Sequence, residues 1–492
     1  MCIHCKTNDR LTTTPLEALL TQVKKFHNAN LVRVVGAGIG GLSAAIHLAR
    51  AGRRVQVFEK QSSCGGKAAE HVAETAVGRF RWDVGPSLLT MPHILQETLA
   101  AAGMDMEKCC PLLPVSPACR YFWQDGHVLD EDEAFWSRPD VQKYLRHAQG
   151  IHDLSADVFL RRRPQQWWRA FFDVNVLKQA RHFSKVATLK SLHDLNRRYF
   201  KDARLVQLFD RFATYNGSSP YRTPATFAII PYIEHTFGAW IPQGGIRAVP
   251  TALERAARSL GVEFFFNTEV RDLIGDRDVA TVCNADVLSA ESWLPESENR
   301  VRRLRSRPLS CSGFVMLLAV RGRRAQMSHH NVFFSRDYGR EFAQIFDEQV
   351  PPEEPTVYVS ISSRHLPGDA PEGCENWFVL VNVPANPKVD FSGYGDIVLN
   401  QLTRFGVQIN NNDILYRHEF GPKEIAERDN AWQGSLYGWA SHSPLTALLR
   451  PPIRHPRHKN LFFCGGTTHP GGGIPLVLLS GRMAAEAVIE NF

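Results

Sequence analysis

Three glycine-rich stretches hold the residues best placed to do chemistry. In the first, Gly36-Ala37-Gly38-Ile39-Gly40-Gly41, glycines recur at the spacing of a dinucleotide fingerprint. Gly36 permits a tight turn, Gly38 lets backbone approach a pyrophosphate, and Gly41 lets a helix pack closely on a strand. Phosphates then meet free N–H groups at a helix N-terminus, where the dipole favours negative charge. Glu59 stands 23 residues after Gly36, the place of a carboxylate that accepts from a ribose hydroxyl. Next comes a basic loop, Lys60 to Lys67, with a second glycine pair at Gly65 and Gly66, and then Asp83-Val84-Gly85-Pro86-Ser87. The third stretch is Gly465-Gly466-Thr467-Thr468-His469-Pro470-Gly471-Gly472-Gly473-Ile474-Pro475. Two glycine-rich junctions far apart in one chain imply a site closed by both, which suits an extended dinucleotide such as FAD better than a loosely held nicotinamide.

Such loops work only if strands and helices hold them. Leu31–Val35 reads as a buried parallel strand, Leu42–Ala51 as a helix ended by Gly52, and Val55–Phe58 as a second strand. Together they form one βαβ unit. Later, Gly244-Gly245 introduces a helix over Val249–Leu260 and a strand over Val262–Phe266. The opening pattern returns with a strand at Leu461–Phe463 and a helix over Val477–Ile489. Residues from about 100 to 235, rich in Trp, Phe, Arg and Lys, read mostly as helices. Strand-like runs follow at Phe314–Val320, Thr356–Ile361 and Trp377–Val383, so a mixed sheet covered by helices is expected.

At 492 residues the chain needs two or three intermixed domains. Its apolar fraction of 44 % and charged fraction of 22 % are those of a soluble globular protein. A net charge of +7 suits an anionic surface or cofactor but lacks the density of a nucleic-acid binder, so no nucleic-acid partner is expected. The ten cysteines are irregularly spaced, which fits a reducing cytoplasm. Cys2 and Cys5 have no partner pair at zinc-ribbon spacing, and His329 and His330, being adjacent, cannot share one strand face, so no metal is expected. No run of eighteen apolar residues could span a bilayer. Residues 1–30 lack the layout of a signal peptide and read as an extension outside the fold, with one short amphipathic helix over Leu16–Phe26.

The sequence resembles the phytoene-desaturase type of carotenoid desaturases, within the flavin amine-oxidase-like group. The likeness covers most of residues 31–492. It is carried by the opening fingerprint, Cys64-Gly65-Gly66-Lys67, Asp83-Val84-Gly85-Pro86, Tyr215-Asn216-Gly217-Ser218-Ser219-Pro220-Tyr221, Trp240-Ile241-Pro242-Gln243-Gly244-Gly245 and the His469–Pro475 stretch. Gly434–Gly438 and Leu479–Arg482 look most similar to the branch acting on hydroxylated acyclic carotenoids at the 3,4 bond.

The resemblance implies an α/β protein, with a Rossmann-type, glutathione-reductase-like FAD-binding domain and an inserted α+β substrate domain of mixed sheet and helices. The FAD domain would be discontinuous, from residues 31–100, 236–290 and 430–492, and the substrate domain would take 101–235 and 300–429. Expected cofactor-binding residues are Gly36, Gly38, Gly41, Glu59, Lys60, Gly65, Gly66, Lys67, Gly85, Pro86, Val270, Gly466, Thr467, Gly472, Gly473 and Ile474. Flavin would accept a hydride from the polyene while a neighbouring carbon loses a proton, with oxygen or a quinone as final electron acceptor. This needs an oriented flavin and a dry tunnel more than a strong base. His469 is the titratable side chain in the best motif, and two roles are open to it. One is to assist proton transfer as a catalytic residue; the other, favoured here, is to hold the loop or the flavin.

A carotenoid must be drawn from a bilayer, so a cytoplasmic protein with peripheral membrane contact is expected. Residues 161–172, with four arginines, two tryptophans and two phenylalanines, read either as that interfacial patch or as core with a solvated basic face. The resemblance implies a small three-stranded excursion before Asn284-Ala285-Asp286, but only about a dozen residues separate Val270 from Asn284, so part of it is expected to be missing. Alternatives are a phytoene or diapocarotenoid desaturase, oxidase or isomerase on the same scaffold, an amine oxidase, or a non-catalytic lipid-binding escort. Intact phosphate loops argue against the escort.

Overall fold

Five short apolar runs from distant parts of the chain align into one parallel sheet. The computed structural model describes residues 30–155, 162–163, 190–295 and 298–492. The sheet order is Leu461–Phe463, Ala280–Cys283, Leu31–Val35, Arg54–Phe58, Glu263–Phe265, with every pairing parallel. Parallel strands are stable when both faces are covered, and the residues divide by parity. Val32, Val34, Val55, Val57 and Val282 join the core under helices Ile39–Arg50, Ala248–Ser259 and Ile474–Asn491. Val35, Cys283, Leu461 and Phe463 face the opposite core, with Val287, Leu304 and Trp439.

Both glycine-loop helices begin three residues earlier than the sequence suggested. The first starts at Ile39, so Gly40 and Gly41 lie inside it, and the last starts at Ile474. Close packing explains the first case. A Cβ on Gly41 would lie 2.1 Å from the Gly36 carbonyl oxygen, and one on Gly481 would lie 2.2 Å from that of Gly40. The two helices are also tied by Ser43 Oγ donating to the Leu478 carbonyl at 2.7 Å.

A second sheet has seven strands in the order Ile414–Phe420, Ser312–Arg321, Cys374–Val383, Val357–Ser360, His330–Phe333, Arg120–Phe122, Val128–Asp130. All its pairings are antiparallel except that of His330–Phe333 with Arg120–Phe122. Phe314, Met316 and Leu318 pack under helix Tyr394–Arg404. Val315 and Leu317 meet Phe80 and Trp82 of the hairpin Glu70–Asp83, while helices Pro139–Ser155, Leu192–Tyr199 and Ala203–Arg211 cover the sheet's far end. The largely helical reading of residues 100–235 holds among the described residues, but three short strands interrupt it. Leu112–Pro114, Arg120–Phe122 and Val128–Asp130 are strands, too short at three residues for a period to show.

No strand lies between Phe265 and Ala280, as the short spacing foretold. The connection is held by Asn460, whose Nδ2 donates to the carbonyls of Ile274, Asp276 and Val279 at 2.9–3.3 Å. Leu273 is buried against the sheet beneath it. The expectations for residues 1–29, including Cys2, Cys5 and Leu16–Phe26, fall outside the described residues, as do those for most of 161–172. Within that stretch Arg162 and Arg163 are described, and Arg163 is buried against Glu490, its Nη2 2.5 Å from Oε1. No helix among the described residues is long and apolar enough to cross a membrane.

Candidate active site

The strand ends of the parallel sheet open onto a cavity of about 740 Å³ that runs to one face of the seven-stranded sheet. Its first wall is the fingerprint turn. Gly36, at φ +96°, donates its N–H to the Phe58 carbonyl at 2.7 Å and turns the chain into the helix. Gly38 caps that helix without a side-chain bond, and no acidic residue stands in the first turn. The first-turn N–H groups are thus left for an anion. A Cβ on Gly38 would fall 2.5 Å from Asn284 Nδ2. The second glycine junction is built alike: Gly473, at φ +99°, precedes the helix Ile474–Asn491 with no side-chain cap.

Glu59 is buried at the end of Arg54–Phe58. It accepts from the backbone N–H of Ala37 at 2.7 Å and of Gln61 at 2.9 Å, fixing both loops around it. The basic loop docks on the fingerprint through Gly65 N–H to the Ala37 carbonyl at 2.9 Å. Lys67 Nζ donates to the Leu436 carbonyl at 2.7 Å, and Lys60 Nζ to that of Glu427 at 3.3 Å. Gly85 fits where a Cβ would lie 1.8 Å from the Lys67 carbonyl oxygen. Asp83 reaches further than its own loop: its Oδ2 accepts from Ile246 N–H at 2.9 Å, at the start of the helix after Gly244-Gly245. Its Oδ1 pairs with Arg81 at 2.5 Å, while burial pushes its carboxyl above the ordinary range.

Of the residues expected from the sequence, Gly36, Gly38, Glu59, Lys60, Gly65, Gly66, Lys67, Gly85, Pro86, Val270, Gly466, Thr467, Gly472, Gly473 and Ile474 all line this cavity. Gly41 lies behind the wall, where it packs against Gly36. His469 is not among the lining residues. It is buried, with Nε2 3.0 Å from the Arg162 carbonyl, and burial draws its pKa down to about 4.

Sequence reasoning passed over Asn284 and Asp286 as site residues. Asp286 caps the helix Val287–Ala290, accepting from Leu288 N–H at 2.7 Å. Its buried Oδ2 has no partner, and Thr467 Oγ1 accepts from Val287 N–H at 3.0 Å beside it. A polar triplet directly after a buried strand was the available signal. Also missed were Arg211, His330, Tyr358 and Tyr437, which line the cavity with the apolar Val315, Phe378, Leu380 and Leu436. A Cβ on Gly472 would lie 2.4 Å from Tyr437 Cδ1, so this ring touches the second glycine junction.

These features fit FAD: two uncapped helix N-termini for phosphates, a ribose-side carboxylate, and glycines packed too tightly for side chains. The flavin containing amine oxidoreductase family matches residues 39–292. A 1-hydroxycarotenoid 3,4-desaturase of Flavobacterium sp. (strain P99-3) is 32% identical, over 92% of this chain and 98% of that protein. A zeta-carotene-forming phytoene desaturase of Myxococcus xanthus is 34% identical over 93% of each. An oxidoreductase structure from Methanosarcina mazei has a TM-score of 0.63 at 16% identity, over 93% of this chain and 100% of that one; at that identity it shows the fold alone. The chain belongs to the flavin-containing amine oxidoreductases, among which it groups with the carotenoid desaturases, and it is an FAD-dependent oxidoreductase.

Proposed function

We propose that the protein introduces a C=C bond into an acyclic, 1-hydroxylated carotenoid. The observation that carries this reading is the continuity of the dinucleotide cradle with an apolar wall inside one cavity. Bound FAD supplies a hydride acceptor; the chain supplies position and dryness. Gly36, Gly38, Gly466 and Gly473 hold the phosphates by backbone, Glu59 takes the ribose, and Lys60, Lys67, Gly65, Gly66, Gly85, Pro86, Val270, Thr467, Gly472 and Ile474 shape the remaining contacts. Val315, Phe378, Leu380 and Leu436 shield the reacting bond from water.

His469 is a positioning residue in this reading, neutral at physiological pH and donating to the Arg162 carbonyl. Residues 31–100, 236–290 and 430–492 act as the FAD-binding part, and 101–235 with 300–429 as the substrate part. Oxygen or a quinone reoxidises the flavin, and the protein meets the membrane peripherally to collect its substrate. The Myxococcus relative favours phytoene as the second candidate substrate. The test is anaerobic incubation of the FAD-loaded protein with a hydroxylated acyclic carotenoid in liposomes. Bleaching of the flavin with a red shift of the polyene spectrum is expected; a flavin that stays oxidised would overturn the reading in favour of an escort.

A further inference from the structure

One end of the cavity is too polar for a hydrocarbon. Arg211 and His330 both line it, yet Arg211 Nη1 and His330 Nε2 are buried without a hydrogen-bond partner. Three rings fix the guanidinium in place, with its carbon 5.7 Å from the centroid of Tyr121, 5.5 Å from Tyr215 and 5.9 Å from Tyr358. His330 is 2 % exposed and holds Tyr358 OH at 2.8 Å through Nδ1. That hydroxyl also meets Ser87 Oγ at 2.6 Å. Tyr358 can give its hydrogen to either neighbour, so His330 Nε2 presents a donor or an acceptor to match its ligand.

Behind Arg211 lie two buried glutamates. Tyr121 OH donates to Glu131 at 2.5 Å and Tyr215 OH to Glu234 at 2.7 Å. Burial and the nearby Glu234 push the Glu131 carboxyl well above the ordinary carboxylate range. Acidic side chains therefore already stand behind Arg211, so the partner its Nη1 lacks need not be a second charge. A purely hydrocarbon end would leave both orphan nitrogens unpaired in a dry cavity. A hydroxyl accepts from the guanidinium and donates to the imidazole.

We propose that Arg211 and His330 form a subsite for a neutral oxygen function, a hydroxyl first of all, on one end of the polyene, and so determine specificity. This rests on the desaturase reading and names the two residues that select its substrate. The experiment uses the FAD-loaded protein and two acyclic polyenes of equal length, one bearing a terminal hydroxyl and one without. Binding is read by quenching of tryptophan fluorescence, and turnover by anaerobic flavin bleaching. The hydroxylated polyene is expected to bind roughly 10- to 100-fold tighter, as suits a hydrogen bond to a buried charged group. In Arg211→Met and His330→Phe that ratio falls toward one, while Arg211→Lys keeps an intermediate value.

Equal binding of the two polyenes by the unaltered protein would overturn the subsite. So would variants that retain FAD and weaken both polyenes alike. Should Arg211→Met fail to fold, His330→Phe and the unaltered protein's ratio decide. A binding preference without bleaching would sink the desaturase reading and leave the subsite standing; bleaching without preference would do the reverse.

Discussion

Where the cavity meets the parallel sheet its wall is largely backbone, from Gly36, Gly38, Gly65, Gly66, Gly466, Gly472 and Gly473. Where it meets the seven-stranded sheet the wall is side chain, from Val315, Phe378 and Leu380 to Arg211, His330 and Tyr358. The first region offers a ligand the N–H groups that every residue owns, and its sequence requirement is the absence of a Cβ. The second recognises by the size and polarity of what projects from it. A backbone site therefore tolerates almost no added atom, whereas a side-chain site can be retuned.

The largest effect on cofactor binding should come from adding atoms to the first region. Gly41→Val places carbon against the Gly36 carbonyl oxygen, where even a Cβ would sit at 2.1 Å. It should weaken FAD binding by about 100-fold, visible as loss of the flavin absorption band. An enlarging change at Val315, on the second wall, should leave flavin content intact; if both behaved alike, the contrast would be wrong.

Next comes the junction between the regions. Arg81 reaches Glu70 at 2.7 Å, Asp83 at 2.5 Å and Asp369 at 3.3 Å, and is nearly inaccessible to solvent. Arg81→Met leaves three carboxylates facing one another and should cost about 3–5 kcal/mol in a urea titration. It should also loosen the Ile246 end of the neighbouring helix, which Asp83 holds.

The smallest effect concerns the second region alone. Glu341 is buried, accepting from Thr356 N–H at 3.0 Å, Thr356 Oγ1 at 2.7 Å and Ser335 Oγ at 2.6 Å. Burial raises its pKa from 4.5 to about 7. The folded state thus holds a proton that the unfolded chain releases. This contribution is fully present below about pH 4.5 and is lost as pH rises through about 7, up to about 3 kcal/mol by linkage. Glu341→Gln should remove that slope from stability measured across the window, with no change in flavin content. An unchanged slope would place the titration elsewhere.

The same contrast explains what could be read from the chain. Glycine spacing is local, so the fingerprint, Glu59, the Gly65-Gly66 loop and the Gly472-Gly473 junction were legible, as were the strands beside them. Arg211 and His330 belong to elements 119 residues apart that meet through tertiary packing, and neither sits in a pattern of its own. The three-residue strands near Leu112 and Arg120 were hidden for a related reason, since their partners lie elsewhere in the chain. Asp83 stands in a motif legible from the sequence, but its bond to Ile246 spans 163 positions and has no local signature.

One consequence concerns how the protein is made. The strand that completes the parallel sheet, Leu461–Phe463, follows Leu31–Val35 by roughly 430 residues. Ala280–Cys283 precedes it by roughly 180 residues, so at roughly 5–20 residues per second on the ribosome the nascent chain waits about 9–36 s with the edge of that strand unpaired. The first glycine turn is ready early, but the second glycine junction that faces it does not yet exist. Cofactor capture that uses both junctions therefore has to wait until the chain has been made past Ile474, and the unfinished sheet must be kept from pairing with a neighbour until then.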